Sequence, residues 1–198
     1  MKTNIKAYIK VFNNKFFPKQ HCQLIINSLD VSKNITHTFY NDQKDLMAKM
    51  GNDPQISFLK DEKMGLIGNL IKDQWYKIIK EYITEWLNKK EKMTWYQSWN
   101  GFAFPKFITY GKDTLLKNHC DHIYSLFEDG GKPRGVPVLS IITLLNNNYS
   151  GGEIIMCGKY KYKLKPGETL VFPSNFLYPH SIKKITEGTR YSMVSWIY

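Results

Sequence analysis

Two histidines and an aspartate are the first residues whose types and spacing could carry chemistry. His119 and Asp121 lie two residues apart, so in a β-strand both side chains project from the same face. Two imidazoles and one carboxylate on one face of a site are a ligand set for non-haem Fe(II) that leaves coordination positions open for substrates. His180 is the natural third ligand, because it lies 59 residues after Asp121, a gap that leaves room for several strands.

An arginine at the start of the last apolar stretch is the second feature that could carry chemistry. Lysine and arginine together number 28, yet only Arg134 and Arg190 are arginine. A guanidinium offers a rigid fork of donors that grips a carboxylate in two places, which an ammonium does not do. Arg190 is therefore a candidate for binding an acid, and Ser192 would project from the same face of a strand.

The C-terminal half of the chain has the pattern of the β-structure that would position these residues. Many short apolar stretches at roughly ten-residue spacing, separated by turns, indicate a barrel or jelly roll. A turn at Glu187-Gly188 would join the last two strands. The predicted strands cover about 102–110, 136–145, 153–157, 160–164, 168–172, 178–184 and 190–197.

The N-terminal half predicts helices that support this sheet structure. From about Glu62 to Lys89, apolar and aromatic residues recur at three- and four-residue steps, which predicts a long helix packed on a sheet. Shorter predicted elements are a strand over 4–12, a helix over 18–29 that Pro18 opens, a strand over 35–40 in which His37 has no chemical role, and a loop at 51–54 within the less clear stretch 41–60.

The predicted fold is mainly β with supporting α-helices, an α+β protein. Its 198 residues suit a single domain. Within it, residues 1–100 would form an N-terminal α/β supporting region, and residues 101–198 would form the β core. Hydrophobic residues at 42% and aromatic residues at 15% predict a globular chain rather than a disordered one.

Cysteine usage and the N-terminal sequence bear on the compartment. Three cysteines without close spacing argue against a disulfide framework or a zinc cluster and favour a reducing cytosol. The first residues lack the apolar centre of a secretory signal. The sequence contains no run of about 18 apolar residues, so we predict no membrane span. We therefore expect a cytoplasmic protein with no membrane partner, in a bacterial cell or, for a viral protein, in the host cytoplasm.

The net charge of +11 raises the question of nucleic acid as a partner. The lysines are scattered along the chain and form no stripe. Asparagine and isoleucine are also frequent, a combination typical of proteins encoded by AT-rich genomes. The charge is thus explained without a nucleic-acid partner, which the sequence disfavours.

With the candidate ligands placed, residues 102–198 resemble the 2-oxoglutarate- and Fe(II)-dependent oxygenases, in the prolyl 4-hydroxylase-like branch. That family has His-x-Asp, a gap, a second histidine and, about ten residues later, Arg-x-Ser or a close variant. Here the pattern is His119-x-Asp121, His180 and Arg190-x-Ser192. Further segments resemble the family in order and spacing: 107–111, 139–146, 149–153 and 165–173.

The resemblance implies a double-stranded β-helix, a jelly roll of two antiparallel sheets with the metal and the co-substrate between them. It implies Fe(II) bound by the two histidines and the aspartate, with 2-oxoglutarate chelating the iron. The distal carboxylate of 2-oxoglutarate would pair with Arg190. It further implies O2 as co-substrate, succinate and CO2 as products, and ascorbate for reactivation. Additional pocket residues would be Ser192 and Tyr110 as hydrogen-bond donors and Ile142 and Leu144 as walls.

The substrate that the resemblance favours is a prolyl or other side chain in a peptide or protein, which would be hydroxylated. A free amino acid or small metabolite is the main rival. Nucleic-acid demethylases typically carry a second arginine six residues after the first, where this chain has Trp196. Trp196 shares a strand face with Arg190 and would wall the pocket. Arg134, in the Gly- and Pro-containing loop 128–135, is a candidate for touching substrate.

Two other classes of function stay open. A non-catalytic, cupin-like protein would use the same barrel and metal ligands, but it has no need of a carboxylate clamp such as Arg190 and Ser192. A basic nucleic-acid-binding module predicts salt-sensitive binding that survives the loss of His180.

Overall fold

Strands dominate the C-terminal half of the protein, and helices the part before it, in a computed structural model that describes residues 4–37, 54–94, 99, 101–121 and 136–198. The helices are α1 (Lys19–Asn27) and α2 (Met64–Glu81), with α2 continuing as a π-helical segment, Tyr82–Lys90, and short 3-10 turns at Ile5–Tyr8 and Asp61–Lys63. The strands are β1 (Lys10–Phe12), β2 (Leu29–Thr36), β3 (Gln55–Leu59), β4 (Lys106–Tyr110), β5 (Leu116–His119), β6 (Leu139–Leu144), β7 (Tyr149–Gly151), β8 (Ile154–Met156), β9 (Tyr160–Tyr162), β10 (Thr169–Pro173), β11 (His180–Ile182), β12 (Ile185–Gly188) and β13 (Arg190–Ile197).

The described strands pair antiparallel in a large and a small sheet, with an additional two-stranded pair. The large sheet has the order β1-β10-β6-β13-β4-β3-β2, and the small sheet has the order β5-β11-β8-β9. Strands β12 and β7 pair with each other. Apolar side chains from the large and small sheets pack together in one buried cluster, so the two sheets face each other as the layers of a double-stranded β-helix. The predicted fold class is confirmed.

Helix α2 covers the outer face of the large sheet. Its buried stripe comprises Ile67, Ile71, Trp75, Ile78 and Ile79, which pack in one cluster with the outward-facing residues of β6 and β13. At the centre, the indole Nε1 of Trp75 donates a 3.0 Å hydrogen bond to Oγ1 of Thr143 in β6. The only polar atom of this large side chain is thereby satisfied in the core.

Strand β13 divides its side chains between the two faces of the large sheet. Met193 and Ile197 pack in the cluster below α2, so by alternation Arg190, Ser192 and Trp196 project toward the small sheet. Ser192 lies between Leu144 of β6 and Ile108 of β4 in the register. The last strand therefore carries the candidate carboxylate-binding residues into the space between the sheets.

Several element boundaries differ from those predicted. Residues 5–8 form a 3-10 turn, so the predicted strand over 4–12 is reduced to β1. Helix α1 ends at Asn27, because Leu29 already pairs with Leu59 of β3. Strand β3 lies in the stretch that the sequence left unclear. Glu187 and Gly188 belong to β12 and pair with β7 rather than forming a turn.

Some predicted features fall on residues that the structure does not describe. Residues 38–40 of the predicted strand and residues 51–53 of the predicted loop lie outside the described residues, as does the whole 128–135 loop with Arg134. Among the residues that are described, no helix combines the length and the apolar character needed to cross a membrane.

Candidate metal and carboxylate site

Cross-strand pairing brings the two candidate histidines together. His119 is the last residue of β5, and its partner across the sheet is His180, the first residue of β11. Their ring centroids are 4.4 Å apart. Asp121 lies just beyond the end of β5, not within a strand as predicted. Its carboxylate nevertheless approaches both rings, with Oδ1 3.6 Å from Nε2 of His119 and Oδ2 3.8 Å from Nε2 of His180.

The tautomers of both histidines leave Nε2 available as a ligand atom. Nδ1 of His119 lies 2.8 Å from the carbonyl oxygen of Lys117, and Nδ1 of His180 lies 3.2 Å from that of Tyr178. A carbonyl oxygen only accepts, so each Nδ1 carries the hydrogen and each Nε2 keeps its lone pair. One ligand atom from each of the two histidines and Asp121 lies within 4.8 Å of the others. This donor set fits a divalent transition metal such as Fe(II).

Two buried serines support the Asp121 carboxylate. The hydroxyl of Ser140 in β6 donates to Oδ2 of Asp121 over 2.6 Å, and Ser174 Oγ lies 2.5 Å from Ser140 Oγ. Burial alone would raise the pKa of Asp121, but hydrogen bonding and the nearby histidines outweigh it, and the pKa is lowered. The carboxyl group is therefore ionised and can act as a metal ligand.

The two imidazoles sit in different environments. Burial lowers the pKa of His180 despite the charge of Asp121, and the ring of Phe172 meets it edge-on at 4.9 Å. For His119 burial also acts to lower the pKa, but the interactions with Asp121 and the Lys117 carbonyl outweigh it, and the pKa is raised. His180 is thus held neutral, the form in which histidine binds metal.

Arg190 is a buried charge that lacks a counter-charge among the described residues. Its side chain is 1% exposed, Nη1 donates to Ser192 Oγ over 2.8 Å, and the guanidinium carbon lies 4.9 Å from the ring centroid of Tyr110. In the part of the chain that the structure describes, no carboxylate pairs with it and its buried Nε has no hydrogen-bond partner. A buried cation without a partner is costly, so this pocket fits a carboxylate ligand such as the distal group of 2-oxoglutarate.

A glycine and two tyrosines surround the guanidinium. Gly152 has a φ of +69°, and a Cβ atom there would lie 2.9 Å from Tyr149 Cε2 and 3.1 Å from Arg190 Cδ. Burial raises the pKa of Tyr149, although Arg190 acts in the opposite direction. Burial likewise raises the pKa of Tyr110 to about 12. Both hydroxyls therefore stay protonated at neutral pH and can donate to an acid.

Apolar residues and one tryptophan complete the surroundings that the structure describes. Leu144 and Ile142 are buried in the cluster between the sheets. Trp196 is half-buried and pairs with Ser140 in the register of β13 and β6. Since Ser140 contacts Asp121, Trp196 lies beside the metal-ligand group. Arg134 is outside the described residues, so its predicted contact with substrate stays a prediction.

Some residues near the site had no recognisable signal in the sequence. Ser140 reaches Asp121, and Ser174 reaches Ser140, across long stretches of chain, so no local pattern could point to them. The sequence placed His37 in a strand without a chemical role. In the structure it lies close enough to interact electrostatically with His119, Asp121 and Lys106. Burial is the largest of the causes that lower the pKa of His37 to about 4. Tyr149 and Gly152 lie in segment 149–153, which resembles the family, but the sequence did not predict that they lie beside Arg190.

The fold and the site together define a double-stranded β-helix protein with a two-histidine, one-carboxylate group and a buried arginine. Residues 105–198 match the 2OG-Fe(II) oxygenase superfamily. The match confirms, over just under half of the chain, the resemblance to the 2-oxoglutarate- and Fe(II)-dependent oxygenases that the sequence motifs predicted.

Curated relatives agree with this assignment over part of their length. A PKHD-type hydroxylase of Prochlorococcus marinus strain MIT 9312 is 33% identical over 102 residues, 48% of this chain and 44% of the relative. One from Crocosphaera subtropica is 39% identical over 54 residues, 26% of this chain and 23% of the relative. The chain thus spans less than half of the length of the first of these relatives, namely 44%.

Solved structures share the fold over nearly the whole chain. The viral collagen prolyl hydroxylase of Paramecium bursaria Chlorella virus-1, in its 2OG complex, has a TM-score of 0.63 at 16% identity, covering 96% of this chain and 94% of that one. A Pseudomonas putida prolyl-4-hydroxylase has a TM-score of 0.62 at 15% identity, covering 96% and 91%. At this level of identity the likeness concerns the fold.

Proposed function

We propose that this protein is an Fe(II)- and 2-oxoglutarate-dependent dioxygenase that hydroxylates a prolyl or other side chain in a peptide or protein. The observation that carries the proposal is Arg190, a buried guanidinium without an acidic partner among the described residues, in the same fold as the His119, Asp121 and His180 group. A barrel that only binds metal has no need of this second feature.

In this proposal the metal is held by three side chains that are already oriented. His119 and His180 would each bind Fe(II) through Nε2, and Asp121 would bind through a carboxylate oxygen. Iron and 2-oxoglutarate, when bound, supply the O2-dependent oxidation of a C–H bond, with release of succinate and CO2. The protein contributes orientation: the two Nδ1–H groups and Ser140 fix the ligands from behind.

The same proposal assigns the 2-oxoglutarate carboxylate to Arg190. Ser192 accepts a hydrogen bond from Nη1 of Arg190, so its own hydroxyl hydrogen can point toward the bound carboxylate. Tyr110, whose hydroxyl stays protonated, is a third donor. The apolar side chains of Ile142 and Leu144 exclude water, which strengthens the pairing of the carboxylate with the guanidinium.

A structural relative that was solved with a bound peptide favours a peptide substrate. One structural relative, from Trichoplax adhaerens, is a prolyl hydroxylase in complex with a hypoxia inducible factor peptide fragment, with a TM-score of 0.60 at 15% identity. Trp196 would contact the substrate, as would Arg134. A free amino acid or small metabolite is the alternative substrate. We further propose that residues 1–198 act as one domain, with residues 1–100 supporting the core.

Succinate formation from 2-oxoglutarate is the test of this proposal. Wild type would be incubated with Fe(II), ascorbate and air without added substrate, beside His180→Ala and Arg190→Leu. We expect slow turnover in the wild type and none in either variant. His21→Ala, which removes a histidine from helix α1, is the matched control and should keep the wild-type rate.

Anaerobic binding separates the two halves of the site. Adding 2-oxoglutarate to the Fe(II)-loaded protein should produce a visible charge-transfer band in the wild type. Arg190→Leu should still bind the metal and lose the band at moderate 2-oxoglutarate concentration, whereas His180→Ala should lose both. Absence of turnover and of the band in the wild type would contradict the proposal and favour the cupin-like metal-binding protein.

A further inference from the structure

Lys106 and Trp196 form a cation–π pair between two strands of the large sheet. Nζ of Lys106 lies 4.8 Å from the ring centroid of Trp196. Lys106 begins β4 and is opposite Val194 of β13, so Trp196, two residues further along the same face, is its diagonal neighbour. The ammonium is thereby held over the indole ring.

The pair lies at the end of the sheet that carries the metal-ligand group. Trp196 is directly opposite Ser140 in the register of β13 and β6, so the two side chains share a face. Ser140 donates its hydroxyl to Asp121 over 2.6 Å. One cross-strand step and one hydrogen bond therefore connect the indole to a candidate metal ligand.

Lys106 places an ammonium group at this end of the site. Lys106 is exposed, and within the described part of the chain it makes no ion pair or hydrogen bond, so its ammonium donors are free to bind a ligand. His37 lies within range of the charges of Lys106, His119 and Asp121. Asp121 is the acidic group among these, and a bound divalent metal would more than offset its charge.

We propose that Lys106, positioned by Trp196, binds a carboxylate of the substrate and so selects substrates that carry a carboxylate. The inference rests on the proposed function, because it takes the metal-ligand group as the place of reaction. The carboxylate could come from an acidic side chain next to the oxidised residue of a peptide or from the α-carboxylate of a free amino acid. In either case the substrate is anchored at one end while its reacting carbon faces the metal.

The cation–π contact explains why this lysine can act as an anchor. An ammonium resting on a ring face is attracted to the ring electrostatically and retains N–H donors for a carboxylate. Its restricted motion also lowers the entropy lost when a ligand binds. The chain contains a similar pair on the surface of the helical region, with Lys90 Nζ 4.2 Å from the ring centroid of Trp86, which provides a matched control.

Calorimetric binding to the Mn(II)-loaded protein, in the presence of 2-oxoglutarate and without Fe(II), tests the inference independently of turnover. The probes are pairs of similar size and shape in which only one member carries carboxylates: capped Ala-Glu-Pro-Glu-Ala against Ala-Gln-Pro-Gln-Ala, and free L-proline against L-prolinamide. We expect the carboxylate-bearing member of one pair to bind roughly tenfold more tightly, the scale of one charge-assisted hydrogen bond. The pair that discriminates identifies the source of the carboxylate.

Variants of Lys106 decide whether this residue is responsible. Lys106→Gln should reduce the affinity ratio within the discriminating pair to near one, and Lys106→Glu should make the carboxylate-bearing member the weaker ligand. Lys90→Glu should leave the ratio as in the wild type. Equal affinities within both pairs, no binding of any probe, or discrimination that survives in Lys106→Gln would overturn the inference.

Wild-type succinate formation distinguishes this failure from failure of the proposed function. If the wild type forms succinate but shows no preference for the carboxylate-bearing probes, only the inference about Lys106 is wrong. If the wild type neither forms succinate nor gains the charge-transfer band, the proposed function itself fails.

Discussion

Ser140 donates a 2.6 Å hydrogen bond to Oδ2 of Asp121 across 19 residues of sequence. Ser174 lies 2.5 Å from Ser140 on its other side. Since the hydroxyl of Ser140 gives its hydrogen to the carboxylate, it accepts from Ser174. Two serines on β6 and just after β10 thus orient a residue that follows β5.

Replacing Ser140 by alanine should weaken metal binding without unfolding the protein. Substitution of a residue that hydrogen-bonds to a metal ligand typically reduces metal affinity by roughly 10- to 100-fold. Titration with Mn(II), followed by electron paramagnetic resonance, would measure the change. Ser195→Ala is the control, because Ser195 is equally buried on β13 but donates to the carbonyl of Ala103 instead. Equal Mn(II) affinity in wild type and Ser140→Ala would contradict the assigned role.

Metal binding should stabilise the folded protein, and removal of the metal should reverse the effect. A ligand at 100 times its dissociation constant adds about 2.7 kcal/mol to the free energy of unfolding. Thermal unfolding with Mn(II) and then with excess chelator would measure the shift. The shift should vanish in His119→Ala and persist in His21→Ala. A shift of equal size in His119→Ala would place the metal elsewhere on the chain.

The stability of an Arg190 variant should depend on whether 2-oxoglutarate is present. Without ligand, Arg190→Met should be as stable as the wild type or more stable by about 1 kcal/mol, because a buried charge without a counter-charge is replaced by an apolar side chain of similar length. With metal present, 2-oxoglutarate should stabilise the wild type and not the variant. Chemical denaturation with and without 2-oxoglutarate measures both effects. Strong destabilisation of the ligand-free variant would show that Arg190 is a structural residue.

Alanine substitutions at two glycines distinguish the effect of backbone strain from that of crowding in the carboxylate pocket. Gly152 and Gly158 have φ values of +69° and +70°, so alanine at either position should cost about 1 kcal/mol of backbone energy. At Gly152 the added Cβ would also lie 2.6 Å from Ile185 Cδ1 and 3.1 Å from Arg190 Cδ, whereas at Gly158 it meets nothing within 4 Å. Crowding should add about 1–3 kcal/mol to the destabilisation.

The same pair makes a prediction about ligand affinity. Gly152→Ala should weaken 2-oxoglutarate binding because the guanidinium must move, and Gly158→Ala should leave the affinity unchanged. Denaturant unfolding and calorimetric titration with 2-oxoglutarate measure the two effects. Equal behaviour of both variants would show that Gly152 has no part in positioning Arg190.

The indole of Trp75 should contribute to stability through its hydrogen bond as well as its packing. Trp75→Phe removes the donor to Thr143, which would leave a buried hydroxyl with one partner fewer and cost about 1–3 kcal/mol in addition to lost packing. Thr143→Val removes the acceptor, so the same change of Trp75 should cost less in that background. Strict additivity in this double-mutant cycle, measured by denaturant unfolding, would contradict a stabilising hydrogen bond.

Local patterns in the sequence predicted the features that depend on a few neighbouring residues. The spacing His119-x-Asp121 and Arg190-x-Ser192 indicated which side chains share a face, and the structure brings both pairs together. Three- and four-residue periodicity predicted α2, because the buried stripe of a helix repeats at that spacing. Strand boundaries were less accurate: β3, β7 and β12 are short and obtain their stability from pairing with strands distant in sequence.

The sequence by itself determined the β-rich fold class, the choice of candidate ligand residues and the unusual position of Arg190. These depend on residue types and local spacing, which the chain states directly. Tertiary structure alone decided that His180 pairs with His119, that Ser140 supports Asp121, and that Lys106 rests on Trp196. Each of those contacts joins strands that are far apart along the chain. Their geometry follows from the register of the sheet. The register is selected by the burial of one whole face of each strand, and no short motif encodes it.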